Sequence, residues 1–266
     1  MAKRFGQNFL VDKGARERLF KAIEAGAGEL IWEIGPGLGS ITSLLLEAGH
    51  PIVAFEIDHG FSRALKELFG GREGFNLVEG DFLKTWKAEA HTRRPSVIFG
   101  NLPYNAALGI VADLLEWGWT PPRMVFTVQK EAARRMAAVP GTKDYSAFSV
   151  LCASVAKPRI LYDLGPSVFW PQPRVASSVV ALEPRAEPLL AQDRLGFSRF
   201  VRSAFSSRRK TLRNNLSLNK AIPPEGLDEA LGVLGYPLDV RAEVLDPENL
   251  ARLYSSIYCR DRPRSL

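Results

Sequence analysis

Glu33-Ile34-Gly35-Pro36-Gly37-Leu38-Gly39-Ser40 follows the apolar run Leu30-Ile31-Trp32-Glu33-Ile34 and precedes the helix-like stretch Ile41 to Ala48. Between a strand and a helix, closely spaced glycines let the backbone pass near a ligand. The loop lacks the Lys of a phosphate-binding P-loop, and Pro36 interrupts the pyrophosphate-binding dinucleotide pattern. A nucleoside-sized ligand fits it better. A tight turn that merely needs glycine is the alternative for this octapeptide alone.

Further strand candidates lie at Ile52-Val53-Ala54-Phe55, Phe75-Asn76-Leu77-Val78, Val97-Ile98-Phe99 and Met124-Val125-Phe126-Thr127-Val128, with helix-like stretches such as Phe61 to Phe69 between them. Strands alternating with helices predict an α/β fold with a parallel sheet covered on both faces. The last strand candidate, Ser177 to Leu182, ends at Glu183-Pro184, where composition shifts toward charge. The domain boundary is placed there, giving residues 1–184 and 185–266. In the second part Phe197, Phe200, Val201, Ala204, Phe205, Leu212 and Leu216 recur at helical spacing. Ser206-Ser207 leaves one long helix or two short ones open. Leu227 to Leu234 and Pro247 to Ile257 are also helical in pattern, so a small all-α domain is expected.

The 266 residues are 46% hydrophobic, enough to fill a sizeable core, and no apolar run approaches the roughly 20 residues of a membrane helix. Cys152 and Cys259, the only cysteines, have neither metal-ligand nor disulfide spacing, so zinc and redox chemistry are not expected and a reducing compartment, the cytoplasm, is. His50, His59 and His91 are scattered and receive no role. The net charge of +6 is concentrated late in the chain: Ser198 to Lys220 holds seven basic residues and no acidic one. That run predicts a positive face for a polyanion such as RNA, with Arg208, Arg209, Lys210 and Arg213 on phosphates; a solvated face is the plainer reading.

Asn101-Leu102-Pro103-Tyr104 follows Val97-Ile98-Phe99, where a buried strand opens into a site. An exocyclic amino group conjugated to an aromatic ring is a poor nucleophile, so alkylating it needs acceptors aimed at its N–H hydrogens and a flat surface for the ring. Asn101 supplies one acceptor and Tyr104 the flat face. Pro103 biases Leu102 away from helical geometry, which can present the Leu102 carbonyl as a second acceptor. The tetrapeptide also describes an ordinary strand-to-turn boundary. Glu56 ends the strand about 20 residues beyond the glycines, where a carboxylate can accept from both ribose hydroxyls. Asp81 and Phe82 follow Gly80 after the third strand, one to take an amino hydrogen bond and the other to pack on a purine. Four candidate groups then stand at successive carboxyl ends of parallel strands, where open α/β sheets bind ligands.

The order glycine loop, strand-end Glu, Gly-Asp and Asn-Leu-Pro-Tyr resembles an S-adenosylmethionine-dependent adenine-N6 methyltransferase. Gly6-Gln7-Asn8-Phe9-Leu10, the Glu33 to Gly39 loop, Asn101 to Tyr104, Gln129-Lys130-Glu131, Phe169-Trp170-Pro171-Gln172-Pro173-Arg174-Val175 and Ala204 to Leu216 narrow this. Together they resemble the KsgA-type ribosomal RNA adenine dimethyltransferases, nearly end to end. The resemblance implies a Rossmann-like S-adenosylmethionine methyltransferase sheet with helices on both faces, plus a small all-α C-terminal domain that binds RNA. It implies cofactor contacts from Asn8, the Leu10 backbone, Gly35, Glu56, Asp81 and Asn101. The implied reaction dimethylates N6 of two adjacent adenosines near the 3′ end of small-subunit ribosomal RNA, without a metal, and is tied to maturation of the immature small subunit. Tyr104 and Phe169 would sandwich the flipped adenine. The early place of Gln7-Asn8-Phe9-Leu10 leaves no room for a cleaved leader on this reading, and a monomer is the default. Asn105-Ala106-Ala107 and Ala176 depart from the family pattern, which bears on substrate positioning. A large-subunit methyltransferase of the antibiotic-resistance type, a DNA adenine methylase and a ribosome-assembly factor with secondary catalysis are the rival readings.

Overall fold

The structure, a computed structural model, describes residues 8–117, 122–190, 192–218 and 224–258. Gly6, Gln7, Lys220 and Cys259 lie outside the described residues. In chain order the elements are β1 (Phe9–Leu10), α1 (Lys13–Ile23), β2 (Ile31–Ile34), α2 (Thr42–Glu47), β3 (Ile52–Glu56), α3 (His59–Phe69), β4 (Phe75–Glu79), α4 (Phe82–Thr92), β5 (Val97–Asn101) and α5 (Ala107–Glu116). Then follow β6 (Arg123–Gln129), α6 (Lys130–Met136), α7 (Ala147–Val155), β7 (Ala156–Leu164), β8 (Phe169–Trp170), β9 (Ser177–Pro184), α8 (Arg194–Ala204), α9 (Leu212–Leu218), α10 (Pro224–Val233) and α11 (Pro247–Tyr258). No helix among the described residues is long and apolar enough to cross a membrane.

Contacts divide the chain into two compact units, one comprising residues up to Asp113, Pro121–Ala133 and Pro158–Glu183, the other Leu114–Thr120, Arg134–Lys157 and the chain from Pro184 onward. A single cut at 184 therefore differs from the observed division, which draws α7 into the second unit. Ser149, Val150, Leu151, Cys152, Ser154 and Val155 are all buried along α7. A helix apolar nearly all round carries no stripe to say which core it joins.

In the first unit seven strands form one sheet in the order β4-β3-β2-β5-β6-β9-β7. β4, β3, β2, β5 and β6 run parallel, and β9 is antiparallel to β6. The near-continuous apolar runs of β3, β2, β5 and β6 follow from burial on both faces, whereas the edge strand β4 is only half-buried. On one face Ile31, Ile52, Ala54, Val97 and Phe99 pack with Leu19 and Ile23 of α1 and Leu45 of α2. On the other, Phe55 meets Trp32 and Phe82 edge to face at 5.1 and 5.0 Å, and Phe82 stacks on Trp86 of α4. β7, unread in the sequence, is an edge strand carrying exposed Lys157, Arg159 and Asp163. Charge at an edge blunts pairing with other chains and hides the strand from an apolar-run search.

The register sets the site. Ile34 lies opposite Phe55 on β3 and Gly100 on β5, so these strands end level. β2 is flanked by β3 on one side and β5 on the other, which makes its carboxyl end the topological switch point of the sheet. The glycine loop and Asn101 flank that crevice.

The second unit has its own core, built from Tyr145, Val150, Phe197, Phe200, Val201, Leu212, Leu216, Leu231, Leu253 and Tyr254. The open choice over Phe197 to Leu216 resolves as two helices, α8 and α9. Asn215 holds the turn between them, its Nδ2 donating to the carbonyls of Ala204 at 2.7 Å and Ser207 at 3.0 Å. Thr211, rather than Ser206 or Ser207, supplies the side-chain acceptor at the start of α9, taking the Asn214 N–H at 3.2 Å.

Candidate active site

Gly35, Gly37 and Gly39 all have positive φ, 68°, 58° and 76°, which side-chain-bearing residues rarely adopt. Two of them also serve close packing: a Cβ on Gly37 would fall 2.9 Å from the Phe9 ring, and one on Gly39 2.4 Å from Phe69. Gly35 differs, because a Cβ there would meet nothing within 4 Å. Backbone chosen for approach thus borders open space at the switch point, the arrangement a ligand-bearing glycine loop needs.

Glu56 ties this loop to β3. Its Oε2 accepts the Gly37 N–H at 3.1 Å and its Oε1 the Asp58 N–H at 2.8 Å. A carboxylate offers about four acceptor sites, so acceptor capacity remains for a hydroxyl donor. Burial raises the Glu56 pKa, while its backbone hydrogen bonds work against that rise. Beneath it Glu33, 3% exposed, accepts from Thr42 Oγ1 at 2.6 Å. Burial pushes Glu33 up to about 8, opposed by the Thr42 hydrogen bond and reinforced by the charge of Glu56. Burial thus favours the protonated form of Glu33.

Asn101 ends β5. Its Nδ2 donates to the Asn8 carbonyl at 2.7 Å, which turns Oδ1 away as the acceptor end. Leu102 N donates to the Thr127 carbonyl at 3.0 Å, and the Pro103 carbonyl takes the N–H groups of both Ala106 and Ala107. No described donor bonds the Leu102 carbonyl. Gly100 makes this turn possible, since a Cβ there would lie 2.6 Å from the Ile34 carbonyl. The Tyr104 hydroxyl bonds Ser177 Oγ of β9 at 2.7 Å. Burial holds the Tyr104 phenol above its ordinary pKa, so it is neutral and its ring orientation is tethered.

Residues 1–230 match the family described as ribosomal RNA adenine dimethylase. The chain belongs to that family. It is 46% identical over 219 residues to ribosomal RNA small subunit methyltransferase A of Treponema denticola, covering 81% of this chain and 75% of the relative. To the protein of the same name from Treponema pallidum (strain Nichols) it is 38% identical over 270 residues, covering 100% of this chain and 92% of the relative. Its fold resembles a dimethyladenosine transferase from Plasmodium falciparum, with TM-score 0.76, 24% identity, and 92% and 95% of the two chains covered. It also resembles the 23S rRNA methyltransferase ErmE, with TM-score 0.67, 24% identity, and 94% and 99% covered. As a family member it is a ribosomal RNA adenine dimethyltransferase that uses S-adenosylmethionine as methyl donor.

Within this family member, Asn8, Gly35, Glu56, Asp81, Asn101, Leu102, Pro103 and Tyr104 all stand at or beside the carboxyl ends of β2 to β5. Asp81 also caps α4, accepting the Leu83 N–H at 3.1 Å. The Leu10 backbone pairs with Phe169 in the two-residue ribbon of β1 and β8. Two of the expected site aromatics are buried. Phe82 is 5% exposed and lies between Phe55 and Trp86, because the first turn of α4 aims it into the sheet. Phe169 is 3% exposed in the core with Leu10 and Leu19, so it offers no open face to a base in this arrangement. Glu33, Gly100 and Ser177 were missed. A lone Glu within the apolar run Ile31-Trp32-Glu33-Ile34 was the available signal for the first; the other two depend on contacts distant in sequence.

The basic run is less free than its composition suggests. Arg208 pairs with Glu243 at 3.0 Å and donates to the carbonyl of Lys143, Arg213 pairs with Asp228 at 3.1 Å, and Arg202 pairs with Glu116 at 2.6 Å. Among the described residues, Arg199, Arg209 and Lys210 are exposed and lack an ion-pair partner. No group of three or more potential metal ligands occurs among the described residues.

Proposed function

We propose that this enzyme dimethylates N6 of two adjacent adenosines near the 3′ end of small-subunit ribosomal RNA, acting in the cytoplasm, as a monomer, on the immature small subunit. The observation that carries the mechanism is the pair of acceptors at the end of β5. Asn101 Oδ1, freed by the tether from Nδ2 to the Asn8 carbonyl, stands one residue from a Leu102 carbonyl with no described donor. Two acceptors of this kind match the two N–H hydrogens of an adenine amino group. By drawing on those hydrogens they weaken conjugation of the nitrogen lone pair with the ring and aim it outward. Pro103 holds the turn, with its carbonyl engaged by α5, and Tyr104, tethered to Ser177, supplies a flat face for the base.

The cofactor supplies an electrophilic methyl group on a sulfonium. The residues present fit it: Glu56 retains acceptor capacity for a ribose diol, Gly35 borders open space, and Asp81 has a second carboxylate oxygen for an amino hydrogen bond. Asn8 and the Leu10 backbone would lie toward its amino-acid end. After the first transfer one N–H remains, so the site must work with one of its two acceptors idle. Arg209 and Lys210 would meet RNA phosphates, with Arg208 and Arg213 beside them.

The test is to incubate the protein with labelled S-adenosylmethionine and small ribosomal subunits lacking 3′-end methylation, then digest the RNA and identify nucleosides by mass spectrometry. The expected product is N6,N6-dimethyladenosine at two neighbouring positions, reduced at least ~100-fold in rate by Asn101→Ala. No transfer to those subunits despite measurable cofactor binding would overturn the substrate assignment.

A further inference from the structure

β1 and β8 form a short antiparallel ribbon in which Phe9 faces Trp170 and Leu10 faces Phe169. Residues directly opposite in such a pair project from the same face, and successive residues from opposite faces. Leu10 and Phe169 occupy the inner face, 5% and 3% exposed. Phe9 and Trp170 therefore share the outer one. Phe9 identifies where that face looks, because its ring touches the position a Cβ on Gly37 would take and lies 5.3 Å from the Phe61 ring. Beside it Trp170 is 62% exposed, a large aromatic surface left in water next to the cofactor loop. The ribbon is tied to the catalytic turn through the Asn8 carbonyl and Asn101 Nδ2. Chain and cross-strand spacings place the Cα of Trp170 within about 9 Å of that of Asn8.

The chemistry around Trp170 favours one class of occupant. From Gly165 to Leu182 the chain has no acidic residue, and Arg174, four positions after Trp170, is exposed. An exposed indole with an exposed guanidinium four residues on, and no carboxylate in that segment, suits a nucleobase with its phosphate. On the proposed function Tyr104, the sole aromatic of the tetrapeptide, serves the base being methylated, and flipping that adenosine uncovers a face of the base beside it.

We propose that Trp170 is the stacking platform for the nucleotide adjacent to the flipped adenosine, with Arg174 on the intervening phosphate. This rests on the ribosomal RNA substrate proposed above. Trp170 is on this reading a substrate-positioning residue, not a group that touches the reacting nitrogen.

The experiment compares wild type, Trp170→Ala and Trp170→Phe on small ribosomal subunits lacking 3′-end methylation, measuring KM, kcat, the methyl count at each of the two adenosines, and S-adenosylmethionine affinity by calorimetry. Trp170→Ala is expected to raise KM for the subunit about tenfold and to leave one adenosine of the pair under-methylated. Cofactor affinity should stay within about twofold, and Trp170→Phe should restore most of the loss, since stacking needs only an aromatic face. An unchanged KM and methyl distribution in Trp170→Ala would overturn the platform. So would a defect that Phe does not rescue, or one matched by an equal loss of cofactor affinity. Wild type inert on these subunits would sink the substrate assignment itself, and this subsite with it.

Discussion

The strand-end rim of the first unit and the basic run of the second are both clusters of polar residues, yet their side chains are held by different things. At the rim, Glu56 and Asn101 are fixed by backbone groups: the N–H groups of Gly37 and Asp58, and the carbonyl of Asn8. In the basic run, Arg202, Arg208 and Arg213 are held by Glu116, Glu243 and Asp228, carboxylates far away in sequence. Backbone partners come with the fold and leave the remaining side-chain valence for a ligand. Side-chain partners consume the same charge that a ligand would use.

The largest effect that would test this contrast is at Glu56. Glu56→Ala removes the acceptor of two backbone N–H groups and should lower stability by about 2–4 kcal/mol, with cofactor affinity falling more than tenfold. Glu56→Gln keeps shape and one acceptor and should recover most of the stability but less of the affinity. Denaturant unfolding and calorimetry separate the two. If Glu56→Ala were as stable as wild type, the rim would not be held as described.

A pH titration sharpens the same region. Burial pushes the Glu33 carboxyl up to about 8, against an ordinary value of 4.5. Between those values the folded state binds more protons than the unfolded one, so stability should fall as pH rises through that window, by at most about 1.4 kcal/mol per pH unit. Glu33→Gln should flatten that slope in denaturant unfolding measured from pH 5 to pH 8, a range set by the window itself. A slope unchanged by the substitution would mean that Glu33 titrates normally.

The smallest effects lie in the basic run and divide it. Arg209→Ala and Lys210→Ala should leave stability alone and each reduce the log–log salt dependence of RNA binding by about one unit. Arg208→Ala and Arg213→Ala should instead cost about 0.2–1 kcal/mol of stability, with a smaller change in salt slope, because each exposed pair is already screened and partnered. Equal salt slopes for all four variants would erase the distinction.

How far each part was legible follows from the range of the interactions. The inner parallel strands β3, β2, β5 and β6 were readable because a strand buried on both faces is mostly apolar along its length, and the rim residues because strand ends recur at a regular place in an α/β sheet. Asp81, Glu56 and Asn101 could be picked out by position alone. How Phe82 and Phe169 pack was not legible, because an aromatic residue beside a site motif has the same local sequence whether it faces the ligand or the core. α7 and β7 went unread, one too apolar and the other too charged to show a period.

The α/β architecture, the reaction class and the identity of the strand-end residues were legible in the chain, since each is written in a local pattern or a contiguous motif. Long-range contacts alone show that Asn101 Nδ2 is tied to the Asn8 carbonyl, that Ser177 tethers Tyr104, that Trp170 is exposed while Phe169 is buried, and which arginines are already paired. Each of those depends on which distant groups the fold brings within about 3 Å, and a hydrogen bond or an ion pair at that distance leaves no periodicity in the chain for a reader to find.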